Sequence, residues 1–196
     1  MAFLRFSEVR AAARSALRPL QKSASTLLKE ERSLAPADAK FAVFLSHSSQ
    51  DADDILGVKR LIEAEGLTVY VDWITDSALD RNKVDGNTAK LLRLRMNNSS
   101  NLIYADSATA EDSKWMPWEL GYFDGIRPSH IFVLPLVTSV DSEYKGREYL
   151  DLYPKAEAIK DLYGRTRLGF EDVNDGQQRR TIMLKEAAWG PGIDLS

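Results

Sequence analysis

Phe41-Ala42-Val43-Phe44-Leu45 runs directly into Ser46-His47-Ser48-Ser49-Gln50-Asp51, and this stretch decides the fold. Five consecutive apolar residues leave a strand no wet face, so it must be buried on both sides, as strands of parallel sheets are. The hydroxyl-rich turn that follows opens a helix. Ile55, Val58 and Ile62 form its inner face, and Gly66 ends it as the residue after the C-cap. The same unit then repeats. Residues 67–71 read as a strand, residues 72–86 as a polar loop holding Asp76, Asp80, Arg81, Lys83 and Asp85, and residues 87–98 as a helix with Leu91, Leu92, Leu94 and Met96 inward. Residues 102–105 are a third strand, and a third helix capped by Asp112 or Ser113 continues past Tyr122. Residues 131–134 make a fourth strand, expected to stop near Pro135, which cannot donate to a central ladder. Four such alternations in about a hundred residues imply an α/β fold, a parallel sheet with right-handed crossovers. In the tail, residues 147–152 read as a short fifth strand, 155–178 as mixed, and 180–189 as a closing helix.

The chain has 196 residues, 26 Lys+Arg against 29 Asp+Glu, two histidines and no cysteine. That length can bury a sizeable core. Without cysteine there is no disulfide framework, thiolate zinc site, iron–sulfur cluster or Cys nucleophile. His47 and His130 alone make no histidine-rich metal centre, so no metal site is expected. No apolar run spans a bilayer, and a net charge of -3 does not favour nucleic acid as a partner. The expected compartment is the cytoplasm.

The mean charge hides an asymmetry. Residues 1–34 sum to +4 and the remainder to -7, with the linker-like Ser33-Leu34-Ala35-Pro36-Ala37-Asp38 between them. The chain therefore divides into a basic arm with its linker, 1–38, and an acidic body, 39–196. Within the arm Phe6, Val9, Ala13, Leu17, Leu20, Ala24 and Leu27 mark one helical face and Arg10, Arg14, Arg18 and Lys22 another. Pro19 should kink this pattern or split it into two helices. The arm reads first as packing on the body or on a second copy, next as a membrane-surface helix, then as a transit peptide.

In an open parallel sheet the ligand sits outside the carboxyl ends of the strands. Delivered there are the turn Ser46–Asp51, the loop 72–86, residues 106–114 and the segment after Pro135. The first turn could hold a phosphate on free backbone N–H groups, though Ser and Asp before a helix also serve simply as caps. Neither GxGxxG nor GxxxxGK[ST] is present. The unusual segment is Ser113-Lys114-Trp115-Met116-Pro117-Trp118-Glu119-Leu120. Trp115 and Glu119, four apart, share a helix face near a helix start. A carboxylate beside an indole is partly desolvated, which strengthens its pull on a nearby cation. The same aromatic spacing also suits plain core packing.

The run from Phe41 to Asp51 resembles the first box of the TIR (Toll/interleukin-1 receptor) domain family. Val69-Tyr70-Val71-Asp72-Trp73 resembles its second strand, with residues 76–86 as the BB loop. Ser113-Lys114-Trp115 through Glu119-Leu120 resembles the S-x-W-x-x-x-E signature of bacterial TIR domains, and Ile131 to Val137 the fourth-strand box. Four boxes in order cover roughly residues 40–140.

The resemblance implies a flavodoxin-like three-layer sandwich. It also implies, as in many bacterial members, cleavage of NAD+ between nicotinamide and ribose, with NAD+ as substrate and no further cofactor. The family's catalytic glutamate falls on Glu119. Trp115 would shape the pocket. Ser46, His47 and Ser48 would lie near ribose or diphosphate, and Asp72 and Trp73 would lead into a lid-like loop. ADP-ribose or a cyclic isomer would result, within antiphage signalling beside a separate effector or activator protein and with homo-oligomers formed through TIR and arm contacts. Two rivals remain. One is a non-catalytic TIR module that signals by self-assembly. The other is a phosphoacceptor receiver domain with Asp106 as acceptor, which lacks acidic metal ligands where Ser46 and His47 stand.

Overall fold

The computed structural model describes residues 3–36, 38–48, 50–72, 86–139, 144–172 and 180–183. In its main sheet β2 (Phe41–Ser46) is flanked by β3 (Val69–Val71) on one side and by the central β4 (Ser99–Asp106) on the other, with β5 (Ile131–Val137) beyond β4. The fifth member comes from the other end of the chain. Strand β1 (Leu4–Arg5) adds to β5, Leu4 opposite Leu136 and Arg5 opposite Val137. The order is β1-β5-β4-β2-β3, with every pair parallel.

Alternation along these strands sends apolar side chains to both faces, which is why the strands read as uninterrupted hydrophobic runs. Val43, Leu45, Ile103, Phe132 and Leu134 pack toward α1 (Phe6–Leu17), α2 (Ala24–Ser33) and α3 (Ala52–Glu63). Phe44, Leu102, Tyr104, Ile131 and Val133 pack toward α4 (Gly86–Asn97) and α5 (Trp115–Ile126). The result is the helix–sheet–helix sandwich of a flavodoxin-like fold.

The arm splits at Pro19 as its sequence requires. Helix α1 ends at Leu17, and α2 starts after Ser23, whose hydroxyl accepts the Thr26 N–H at 3.2 Å. Val9, Ala13, Leu27 and Leu28 are buried in the same cluster as the sheet residues above α3. Close approach is possible because α3 carries Gly57, where a Cβ would run into the backbone carbonyl of Val9. Arg10 closes the contact with a two-pronged ion pair to buried Asp54, at 2.7 and 3.0 Å. Among the described residues, no helix is long and apolar enough to cross a membrane.

In α4 Leu92 and Met96 are buried as expected but Leu94 is exposed, and three expectations about strands and the tail need correction. Strand β5 continues through Pro135 to Val137, because its outer edge is shared by two short partners. Val133 bonds the carbonyl of Pro154 beside Lys155, and β1 begins at Leu136. Pro135 directs its missing N–H to the gap between them. That occupied edge also leaves residues 147–152 no strand partner, and Glu148–Leu152 forms a 3-10 turn instead. The closing helix is replaced at Arg180–Met183 by a strand, β8, paired antiparallel with β7 (Thr166–Asp172), which in turn pairs with β6 (Ala156–Lys160). Adjacent β-branched Thr181 and Ile182 suit that state; residues 184–189 lie outside the described residues. The Phe170 ring meets Phe132 at 4.1 Å between centroids and seats this small sheet on the α3 side.

Candidate functional site

Ser46 is the last residue of β2, and the pleat puts its side chain on the same face as Phe44, toward α5. Helix α5 starts at Trp115 just beyond β4, with the Ser113 hydroxyl accepting the Met116 N–H at 3.3 Å. Pro117 costs little in a first turn, where its N–H would have no intrahelical partner. The second turn delivers Glu119. Its Oε2 accepts the Ser46 hydroxyl at 2.6 Å, a length typical of a hydroxyl on a charged oxygen. Both groups are withdrawn from water, Ser46 at 0% and Glu119 at 6% exposure. Trp115, one turn before Glu119, is half-buried and meets Trp118 edge-on at 5.4 Å. Trp118 stacks on Tyr122 beneath the Arg93 guanidinium.

The other anticipated residues divide. His47 is buried and donates Nδ1–H to the carbonyl of Leu45 at 2.9 Å, folding the ring back along its own strand. Ser48 is buried too, and its hydroxyl accepts the Gln50 N–H at 3.5 Å, the part of a turn residue. Asp51 accepts hydroxyls from Ser107 and Thr109, tying the turn after β2 to the turn after β4. Asp72 is buried at the end of β3 and pairs with Arg32 of α2 at 3.1 Å, with the Tyr70 hydroxyl at 3.4 Å. Burial, with Asp72 adding to it, pushes the Tyr70 phenol up to about 12. Trp73 and most of the expected lid, residues 73–85, lie outside the described residues, as does Ser49.

A second polar group shares this end of the sheet and was not anticipated as a unit. Tyr104 stands opposite Ser46 in the β2–β4 register, and Asp106 ends β4 two residues on, on the same face. Tyr144 donates its hydroxyl to Asp106 Oδ2 at 2.6 Å. Arg147 Nη1 reaches the hydroxyls of Tyr104, at 3.3 Å, and Tyr149, at 2.7 Å. Burial raises the Asp106 carboxyl above its ordinary range, against the opposing pull of the Tyr144 bond and Arg147. Among the described residues, no group of three or more His, Asp or Glu side chains is placed to hold a metal ion.

This end of the sheet thus offers three carboxylates that accept hydroxyls, Glu119 from Ser46, Asp72 from Tyr70 and Asp106 from Tyr144, with an indole one turn from Glu119 and an arginine braced by two phenols. A fixed carboxylate in a place of low polarity can stabilise a positive charge that develops next to it.

No family model matches the chain. Two curated proteins are similar to it. One, from Bacillus cereus (strain MSX-D12), carries the name "Probable 3' cyclic ADP-D-ribose synthase ThsB'" and is 52% identical over 114 residues, 58% of this chain and 59% of its own length. The other, from Cytobacillus dafuensis, is named "Putative cyclic ADP-D-ribose synthase TIR2" and is 30% identical over 83 residues, 42% of this chain and 22% of its own length. The chain thus spans well under two thirds of either relative. Both names print a cyclic ADP-D-ribose synthase, and the second also prints TIR, the family that the four boxes resemble.

Proposed function

We propose that the chain cleaves the bond between nicotinamide and ribose in NAD+, with Glu119 as the catalytic carboxylate. The observation that carries this reading is the Ser46–Glu119 hydrogen bond of 2.6 Å, which holds a buried carboxylate one helical turn from Trp115 at the carboxyl end of a parallel sheet. Heterolysis leaves the bonding electron pair on the nicotinamide nitrogen, which departs neutral without a general acid. The ribose becomes oxocarbenium-like, and the Glu119 carboxylate faces and stabilises that charge, as in glycoside hydrolysis. Water attack gives ADP-ribose and a proton. Attack by a hydroxyl of the same molecule gives a cyclic isomer and a proton. The synthase names of both relatives favour the cyclic product.

In this reading Trp115 packs against the nicotinamide or ribose, and Ser46, His47 and Ser48 border the ribose and diphosphate. Asp72 and Trp73 are also assigned to substrate binding. Homo-oligomers, a separate effector or activator, antiphage signalling and a cytoplasmic setting complete the proposal. Incubation of the purified chain with NAD+, followed by chromatography of nicotinamide, ADP-ribose and cyclic isomers, tests it. Release of nicotinamide matched by a ribosyl product supports cleavage. Intact NAD+ in every assembled form of the protein favours the non-catalytic TIR module instead.

A further inference from the structure

Arg147 is half-buried behind the 3-10 turn Glu148–Leu152, and its guanidinium is only partly used. One terminal nitrogen, Nη1, is committed to the phenols of Tyr104 and Tyr149. The other, Nη2, is buried and has no hydrogen-bond partner. Burial raises the Tyr104 hydroxyl above its usual range, so this phenol offers the arginine no counter-charge. Asp106 acts on Arg147 through space, but among the described residues no carboxylate comes within ion-pair distance of it. A buried donor left unmade is costly, and more so when charged. An arginine fork fixed on one side and unpaired on the other suits an anion with two oxygens, a phosphate above all.

Its place matters as much as its chemistry. Tyr104, on which Arg147 rests, is the register partner of Ser46, on which Glu119 rests. Partners in adjacent strands lie about 5 Å apart, and both side chains stand on the α5 face of the sheet. In a nicotinamide dinucleotide the diphosphate is only a few bonds from the anomeric carbon that the carboxylate must face. We propose that Arg147 is an anion-binding residue of the Glu119 site, taking the substrate diphosphate through Nη2. This rests on the reading of the site as one that cleaves NAD+.

The test uses the whole chain in two measurements. In a Glu119→Gln background, titration calorimetry with ADP-ribose should show binding that Arg147→Met weakens at least tenfold, while nicotinamide riboside, which has no phosphate, binds both forms alike. In the otherwise native chain, Arg147→Met should raise KM for NAD+ about tenfold with kcat within about twofold, and Arg147→Lys should fall between. Equal ADP-ribose affinity with and without Arg147, or a loss confined to kcat, overturns the assignment. If Arg147→Met fails to fold by circular dichroism, Arg147→Lys decides: unchanged KM and affinity overturn the proposal. A chain that binds ADP-ribose through Arg147 yet never turns over NAD+ would keep the subsite and refute the cleavage reading. A chain that turns over NAD+ with Arg147 irrelevant would do the reverse.

Discussion

The Ser46 hydroxyl and the Glu119 carboxylate meet at 2.6 Å across 73 residues of sequence, joining the end of β2 to the second turn of α5. Ser46 has no exposed surface and Glu119 almost none, so the bond fixes the carboxylate in one place instead of leaving it to water. A hydrogen bond to a charged group contributes about 1.5–3 kcal/mol. Ser46→Ala should therefore lower kcat for NAD+ about tenfold or more while KM moves less, read by steady-state kinetics. An unchanged kcat would remove Ser46 from the account.

Gly57 separates two opposite expectations for stability. In a free helix Gly→Ala is favourable by about 1 kcal/mol. Here the added Cβ would meet the Val9 carbonyl of α1, and overpacking of that kind costs about 1–3 kcal/mol. Gly57→Ala should lower Tm by several degrees in a thermal melt. A rise in Tm would mean that α1 does not sit on α3.

Glu8 links the arm to the small sheet, bonding Arg5 in its own turn and Lys160 of β6. The Arg5 bond, with Lys160 assisting, holds its carboxyl down from 4.5 to about 2. A depressed carboxylate stabilises the fold above its ordinary titration range, and that contribution is lost as pH falls from 4.5 toward 2. Arg5 stays charged throughout. Unfolding by denaturant over this range should show a shallower acid loss in Glu8→Gln than in the native chain. Parallel acid limbs would contradict the linkage.

Much of this architecture is written in local pattern. The apolar run from Phe41 to Leu45 announces a two-sided strand, Pro19 divides the arm, and Trp115 with Glu119 shares a helix face, all within a few residues. What the pattern hides depends on distant partners. Leu4 and Arg5 are strand only because β5 has a free edge far along the chain. Pro135 sits inside β5 because two short neighbours leave a gap where its N–H would have been. The Tyr104–Arg147 and Asp106–Tyr144 pairs join side chains separated by 43 and 38 residues. Their only sequence signal was the position of Asp106 at the carboxyl end of a predicted strand. Asp72 was expected beside the substrate, and its ion pair with Arg32 depends on where α2 docks.

The central claim is that Glu119 is the group that cleaves NAD+. The most direct measurement compares nicotinamide release by the native chain and by Glu119→Gln, which keeps the side chain's size and can still accept the Ser46 bond. Loss of one well-placed electrostatic group typically costs about 100- to 1,000-fold in kcat. Glu119→Gln should lose at least that much, with ADP-ribose still bound and the melting temperature close to native. Turnover by Glu119→Gln within a few-fold of the native rate would contradict it.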